Sequence, residues 1–507
     1  MVAVGRQLLR NVVSSWMGYA ARFIIAFFFI PYITSTLGTA EYGIWVIVFQ
    51  ALNFLTLFDF GLERALLRYV SRALGQQDSG SVNKLLSTAT LIYAGLGALV
   101  LVAASVVGPF LFASVKASGG ADLADGKHAF FIVSAYLAIR FWLLPYAASF
   151  GAFQRYDVAN ILDVSEELVK TALLVWLLAT GHGLASLALA IFGTSLIKQG
   201  VGILWLRHLH PELRFSPRIA DKPTARLLFD YSKISFGITL AWLAIYNSDS
   251  ILLGLLASPA AAGIYAPGAN VMLYLRMLVN TVGTPLIPAV SHLEGTDRPD
   301  AVRELHGKFI KYVSFFSFFM AAGVIMYARP FVALWLAPEY APAARVMIIL
   351  SVGTAFFLPH IIGNSVLFGL GKHRYLFWVL ASEAVLKIGL SLALIGPYGP
   401  EGMAVAAAVP QVLIYVSVYP YLVARVTEVR YLKLLSTSLA SGILGLLVTW
   451  PVAKIMQALV ATDRWPGLAV NVMVVTAAAC LVGYYVVVDR TDRSRLVNFL
   501  RGNPPAR

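Results

Sequence analysis

Long apolar stretches, each about the length of a membrane crossing and parted by short polar or charged breaks, recur from Val12 to Val488. A hydrocarbon core of about 30 Å takes roughly 20 helical residues to cross. Inside it every backbone N–H has to be satisfied internally, which leaves helices or a closed barrel. The runs are too long for strands, so the pattern predicts an all-α integral membrane protein. Cutting at Gly, Pro and charged interruptions gives about fourteen spans: 12–37, 42–70, 84–113, 129–152, 157–179, 184–208 and 230–256, then 262–291, 307–336, 341–370, 375–395, 402–425, 433–459 and 466–488.

The breaks alternate in charge. One set collects most of the basic residues, among them Arg6, Arg10, Arg68, Arg72, Arg155, Arg207, Arg303, Lys311, Arg374, Arg430 and Arg490, whereas the other holds only Lys116, Lys127, Arg329, Arg345, Lys454 and Arg464. The positive-inside rule then predicts a multi-pass protein with both termini in the cytoplasm, in keeping with an even number of spans. The basic segment 209–229, with Pro211, Pro217 and Pro223, reads as an exposed connection between halves.

Composition agrees: 59% of residues are hydrophobic and 13% charged, against about 25% charged in a soluble domain. Most of the net charge of +14 is explained by topology, so nucleic acid is not an expected partner and membrane lipids are. The basic start, Met1 to Arg10, followed by a long apolar run, reads as a retained signal anchor. Cys480 is the sole cysteine, which excludes an intramolecular disulfide or a cysteine metal cluster, and no cofactor is expected.

The chain also repeats itself. A shift of 220 lays Gly43-Ile44 on Gly263-Ile264 and Ser71 on Ser291. At nearly the same offset Arg155-Tyr156 falls on Arg374-Tyr375, and Ser165-Glu166 with Lys170 falls on Ser382-Glu383 with Lys387. The expected organisation is an N-lobe at 1–208, a linker at 209–229, a C-lobe at 230–425, and a terminal helix pair with a basic tail at 426–507. Each lobe would hold six helices of parallel topology, and transporters built this way bind cargo between the halves.

The pattern Leu37-Gly38, Glu41-Tyr42-Gly43-Ile44-Trp45, Asp59-Phe60-Gly61-Leu62 and Leu67-Arg68-Tyr69-Val70 resembles the opening of oligosaccharide flippases of the polysaccharide transport family. That family belongs to the multidrug/oligosaccharidyl-lipid/polysaccharide exporter (MOP) superfamily, and the similarity runs in order along essentially the whole chain. It implies two six-helix lobes around a central cavity in the bacterial cytoplasmic membrane. It also implies export of an undecaprenyl-pyrophosphate-linked oligosaccharide by alternating access, beside glycan polymerases and glycosyltransferases. The motifs of the related lipid II flippase have no close match here, which favours an O-antigen or capsule unit over a peptidoglycan precursor.

Ionisable groups inside spans are costly and are functional candidates by default. Arg22 lies deep in the first span, Arg140 in the fourth and Arg276 in the eighth. Their guanidinium forks suit the pyrophosphate that the resemblance implies, the alternatives being a pair with an acid on a neighbouring helix or a packing role. The repeat sets His360 near the equivalent of Arg140. In the seventh span Thr239, Trp242, Tyr246 and Asp249 share a stripe, joining a ring surface for sugar with an acid. Asp59 and Asp249 are the expected ion-coupling residues. Glu166 with Lys170, and Glu383 with Lys387, are read as structural i, i+4 ion pairs, because they occur in both copies. Two rivals remain: a cation or multidrug antiporter, which would want acids where arginines stand, and a membrane glycan polymerase or ligase. The second would need a large external loop and a nucleophile-and-base set, and neither is evident.

Overall fold

The computed structural model describes residues 2–115, 123–153, 155–213, 215–372 and 374–494, apart from the side chains of 2–22, Arg64, Tyr156, 231–235 and Pro288. Every described element is helical, and contacts divide the chain into two compact units, Met1–Gly263 and Ile264–Arg507.

The first unit contains α1 (Val2–Leu55), α2 (Leu62–Gly75), α3 (Ser79–Ser114), α4 (Leu123–Ala152), α5 (Tyr156–Ala179), α6 (Leu184–Leu209), α7 (Lys222–Tyr246) and α8 (Asp249–Leu256). Here α4 packs along α3 and α6, and α1 along α5. Next comes α9 (Pro259–Gly283), at whose start the division falls. The second unit continues with α10 (Leu286–Gly295), α11 (Pro299–Trp335), α12 (Ala343–Phe357), α13 (His360–Gly369), α14 (Arg374–Leu413), α15 (Tyr419–Thr427), α16 (Tyr431–Leu459) and α17 (Trp465–Val482). Its core is α11 laid against α12 and α16, with α12 also against α14.

Nine helices among the described residues are long and apolar enough to cross a membrane, or ten if the bent pair Phe236–Tyr246 and Asp249–Leu256 counts as one span. Two of the long helices hide a break, at Gly38 (φ 70°) in α1 and Gly399 (φ 54°) in α14. A residue with a side chain enters that region at a steric cost, so glycine places the interruption. The interruptions match the predicted gaps at 37–42 and 395–402. By contrast α5 is helical where a span is predicted, yet it carries Asp157, Asp163, Glu166, Glu167 and Lys170, too many charges for an apolar crossing of its own.

Three local expectations are corrected. The predicted 42–70 span is not one rod: α1 ends at Leu55, a short 3-10 turn covers Thr56–Asp59, and Phe60 and Gly61 are both left-handed before α2 begins. The predicted 230–256 span is bent by 48° at Asn247–Ser248. Helix α7 starts at Lys222, so the expected linker is largely helical at its end. By packing, α7 lies against α2 and α3, and α8 against α1, within the first unit.

The two glycines that the repeat superposes also meet within the first unit. A Cβ on Gly43 would sit 1.7 Å from the Pro259 carbonyl oxygen, and one on Gly263 would sit 2.1 Å from that of Thr39. The contact is reciprocal under the 220-residue shift.

Candidate functional site

The break between α7 and α8 gathers polar groups inside an apolar region. Interrupting a helix exposes backbone donors that lipid cannot satisfy, and α1 supplies the remedy. The Ser250 N–H donates to Gln50 Oε1 at 2.9 Å, and Asn53 Nδ2 donates to Asn247 Oδ1 at 2.9 Å. Ser248 turns its hydroxyl back onto the Ala244 carbonyl at 2.6 Å. Asp249 opens α8 and is 6% exposed, placing a carboxylate at the positive end of the helix dipole. One turn before the break, the rings of Trp242 and Tyr246 lie 4.7 Å apart and half-buried. Of the predicted stripe, Trp242 and Tyr246 lie together on α7, whereas Asp249 falls beyond the 48° bend, at the start of α8. Gln50, Asn53 and Asn247 went unnoticed in the sequence, although the run Asn247-Ser248-Asp249-Ser250 inside a span was the available signal.

Asp59 has a local occupation. Its carboxylate accepts the Tyr93 hydroxyl, the Gly61 N–H at 3.0 Å and the Glu63 N–H at 3.3 Å, fixing the turn into α2. The Asp59-Phe60-Gly61 motif is therefore a turn that ends one helix and begins the next: acceptor, left-handed residue, left-handed glycine.

Arg140 stands near the middle of α4, exposed, and makes no hydrogen bond or ion pair among the described residues. His360, its expected counterpart, is instead buried at the start of α13, stacked on Tyr415 at 5.4 Å. The backbone of Arg22 is in α1, but its side chain lies outside the described residues.

The expected Glu166–Lys170 pair is replaced by other partners. Lys198 of α6 reaches both Asp163 and Glu166 at 2.8 Å, Glu166 also takes the Ser195 hydroxyl, and Lys170 bonds Glu167 at 2.5 Å. A lysine on the neighbouring helix reaches Glu166 because α5 presents its acids to α6, a rotation that spacing along one helix does not fix. In the second unit Glu383 and Lys387 are each 1% exposed on α14. Glu383 accepts from the Tyr415 hydroxyl at 2.9 Å, and the charges of Lys387 and of half-buried Arg276 act on it. Tyr415 stands in a π-helical segment, Ile414–Val418. Such wide turns aim side chains that a regular helix would carry elsewhere, and they cluster at functional sites.

Broken helices that bury polar groups within an all-helical membrane fold mark a class of proteins that move solutes. The inward closed conformation of the lipid II flippase MurJ matches with a TM-score of 0.70 at 12% identity, over 93% of this chain and 97% of that one. An inward-facing multidrug-resistance transporter of the MATE family gives 0.63 at 11% identity, over 81% and 99%. At such identities the likeness shows the fold alone, that of MOP-superfamily transporters. The profile described as polysaccharide biosynthesis protein matches residues 8–294, and the chain belongs to that family. The MatE profile matches residues 238–393. The chain is 22% identical to the membrane protein EpsK of Bacillus subtilis, over 93% of its own length and 94% of the relative's. It is 20% identical to a candidate O-antigen transporter of Shigella flexneri, over 80% and 95%. It is thus a multi-pass membrane transporter of polysaccharide biosynthesis and not an enzyme.

Proposed function

We propose that the chain translocates an undecaprenyl-pyrophosphate-linked oligosaccharide across the bacterial cytoplasmic membrane by alternating access, for O-antigen, capsule or exopolysaccharide assembly. Family membership and the similarity to an O-antigen transporter and a lipid II flippase support a lipid-linked glycan as cargo. The observation in this chain that carries the reading is Arg140, uncovered near the middle of an apolar helix without an ion-pair partner among the described residues. Leaving a guanidinium there is costly unless it meets water or an anion, and a pyrophosphate offers the bidentate oxygens that a guanidinium fork matches.

In this reading the chain crosses fourteen times with both termini cytoplasmic, as lobes 1–208 and 230–425 with a terminal pair at 426–507. Arg22 and Arg276 join Arg140 in handling the headgroup, and the Trp242 and Tyr246 rings offer a flat face to the sugar. Asp249, buried at the helix break, and Asp59, at the turn into α2, are the ion-coupling residues of this reading. Glycosyltransferases supply the cargo and a glycan polymerase receives it.

Arg140→Ala should abolish surface glycan while protein abundance stays near wild type, and Arg140→Lys should keep part of the export. The readouts are glycan blotting of whole cells and quantitation of the transporter in membranes. Normal glycan in the alanine variant, or a loss that merely tracks missing protein, counts against the proposal. The MatE match over 238–393, which includes Asp249, favours a second reading as a cation antiporter. Loss of drug resistance with intact glycan on deletion would select that reading.

A further inference from the structure

A cavity of about 720 Å³ opens in the second unit, where α11 and α16 begin and the chain leaves α17. It lies at the end of the unit where the basic breaks fall, and its lining is rich in charge. Three of its cations are already matched: Arg303 to Glu428 at 2.5 Å, Lys308 to Glu304 at 2.8 Å and Lys311 to Asp489 at 3.0 Å. Arg430 and Lys433 complete the basic lining. Both are exposed, and neither makes an ion pair or side-chain hydrogen bond among the described residues. Two positive charges are therefore left over at one wall of a cavity large enough for a polar headgroup.

The surroundings are those of a membrane interface. Beside the cavity but outside its lining, Leu432, between the two cations in sequence, is 73% exposed, and Tyr421, 56% exposed, lies 6.2 Å from the Tyr431 ring. Interfacial tyrosines of this kind sit at headgroup level. An exposed leucine next to a basic cavity suits an acyl chain running alongside a phosphate held in the cavity better than it suits a freely dissolved anion. Basic pockets between helix ends are where anionic lipids are held.

We infer that this cavity binds the phosphate headgroup of an anionic membrane phospholipid, with Arg430 and Lys433 supplying the charge. The full-length protein in mild detergent is offered an equal mixture of phosphatidylglycerol and phosphatidylcholine, and retained lipid is counted by native mass spectrometry. Phosphatidylglycerol adducts should predominate. In the Arg430→Gln/Lys433→Gln double variant they should fall by about tenfold or more, because each basic group near an anionic lipid is worth roughly fivefold. Lys454→Gln, at the far end of α16, should leave retention unchanged. Equal retention of the two lipids, undiminished retention in the double variant, or the same loss in Lys454→Gln would overturn the site. Displacement of the lipid by excess inorganic phosphate would overturn the lipid as its occupant in favour of a free anion. Thermal unfolding of the double variant at the wild-type temperature shows that any loss arises from the removed charges.

Discussion

Glu383 and Lys387 carry their side chains almost wholly out of water, 1% exposed each. Desolvation on that scale is offset only when each charge has polar company, and the Lys387 charge acts on Glu383, so removing either charge leaves the other less compensated, at about 3–5 kcal/mol. Glu383→Ala and Lys387→Met should each lower thermal stability by about that much, as read by fluorescence-detected size exclusion after heating. Exchanging the two residues should retain more stability and more export than either single change. Tyr415→Phe, which removes one donor from the Glu383 carboxylate, should cost about 1–3 kcal/mol. The i, i+4 spacing suggested an ion pair both at Glu383–Lys387 and at Glu166–Lys170, whereas the structure shows Glu383 taking the Tyr415 hydroxyl and Glu166 taking Lys198. Spacing brings groups near each other along one helix, but it carries no information on a competitor such as Lys198, which projects from another.

Helix existence was legible throughout, because apolar length is a property of the local sequence. Breaks were legible only where glycine sat in a hydrophilic gap, as at Gly38 and Gly399. The break at Asn247–Ser248 was hidden because hydropathy averages across it, and the residues that sustain it, Gln50 and Asn53, lie roughly 200 positions earlier. Gln50→Ala should leave the Ser250 N–H unsatisfied in an apolar setting, at about 1–3 kcal/mol. Hydrogen exchange should then show faster exchange confined to the start of α8, and unaltered protection there would refute the assignment. At the other crossing of α1, Gly43→Ala would press a methyl into the Pro259 carbonyl oxygen. Backbone has to move to admit it, so a loss of about 1–3 kcal/mol is expected.

At the scale of the molecule, surface ties connect distant stretches of chain, and one has a definite acidity. Lys84 and the Thr224 hydrogen bonds hold the Asp221 carboxyl down at about 2, below its ordinary 3.8. Its contribution is therefore complete above pH of about 4 and is lost as pH falls through about 2. The unfolding temperatures of wild type and Asp221→Asn should differ by a constant amount from pH 7 to 5 and converge under strong acid. Divergence on acidification would contradict the assignment. The acids of α5 bear on how the protein is made. A charged residue at mid-helix resists transfer from the insertion machinery into lipid by about 2.5–3.5 kcal/mol, and α5 presents five ionisable groups. Lys198, which bonds Asp163 and Glu166, is synthesised only after the turn Thr180–Gly183 and much of α6. The two helices are therefore expected to enter the bilayer together as a hairpin. A nascent chain halted before Lys198 should leave α5 waiting at the translocon, and glycosylation-site mapping of truncated chains would detect the delay.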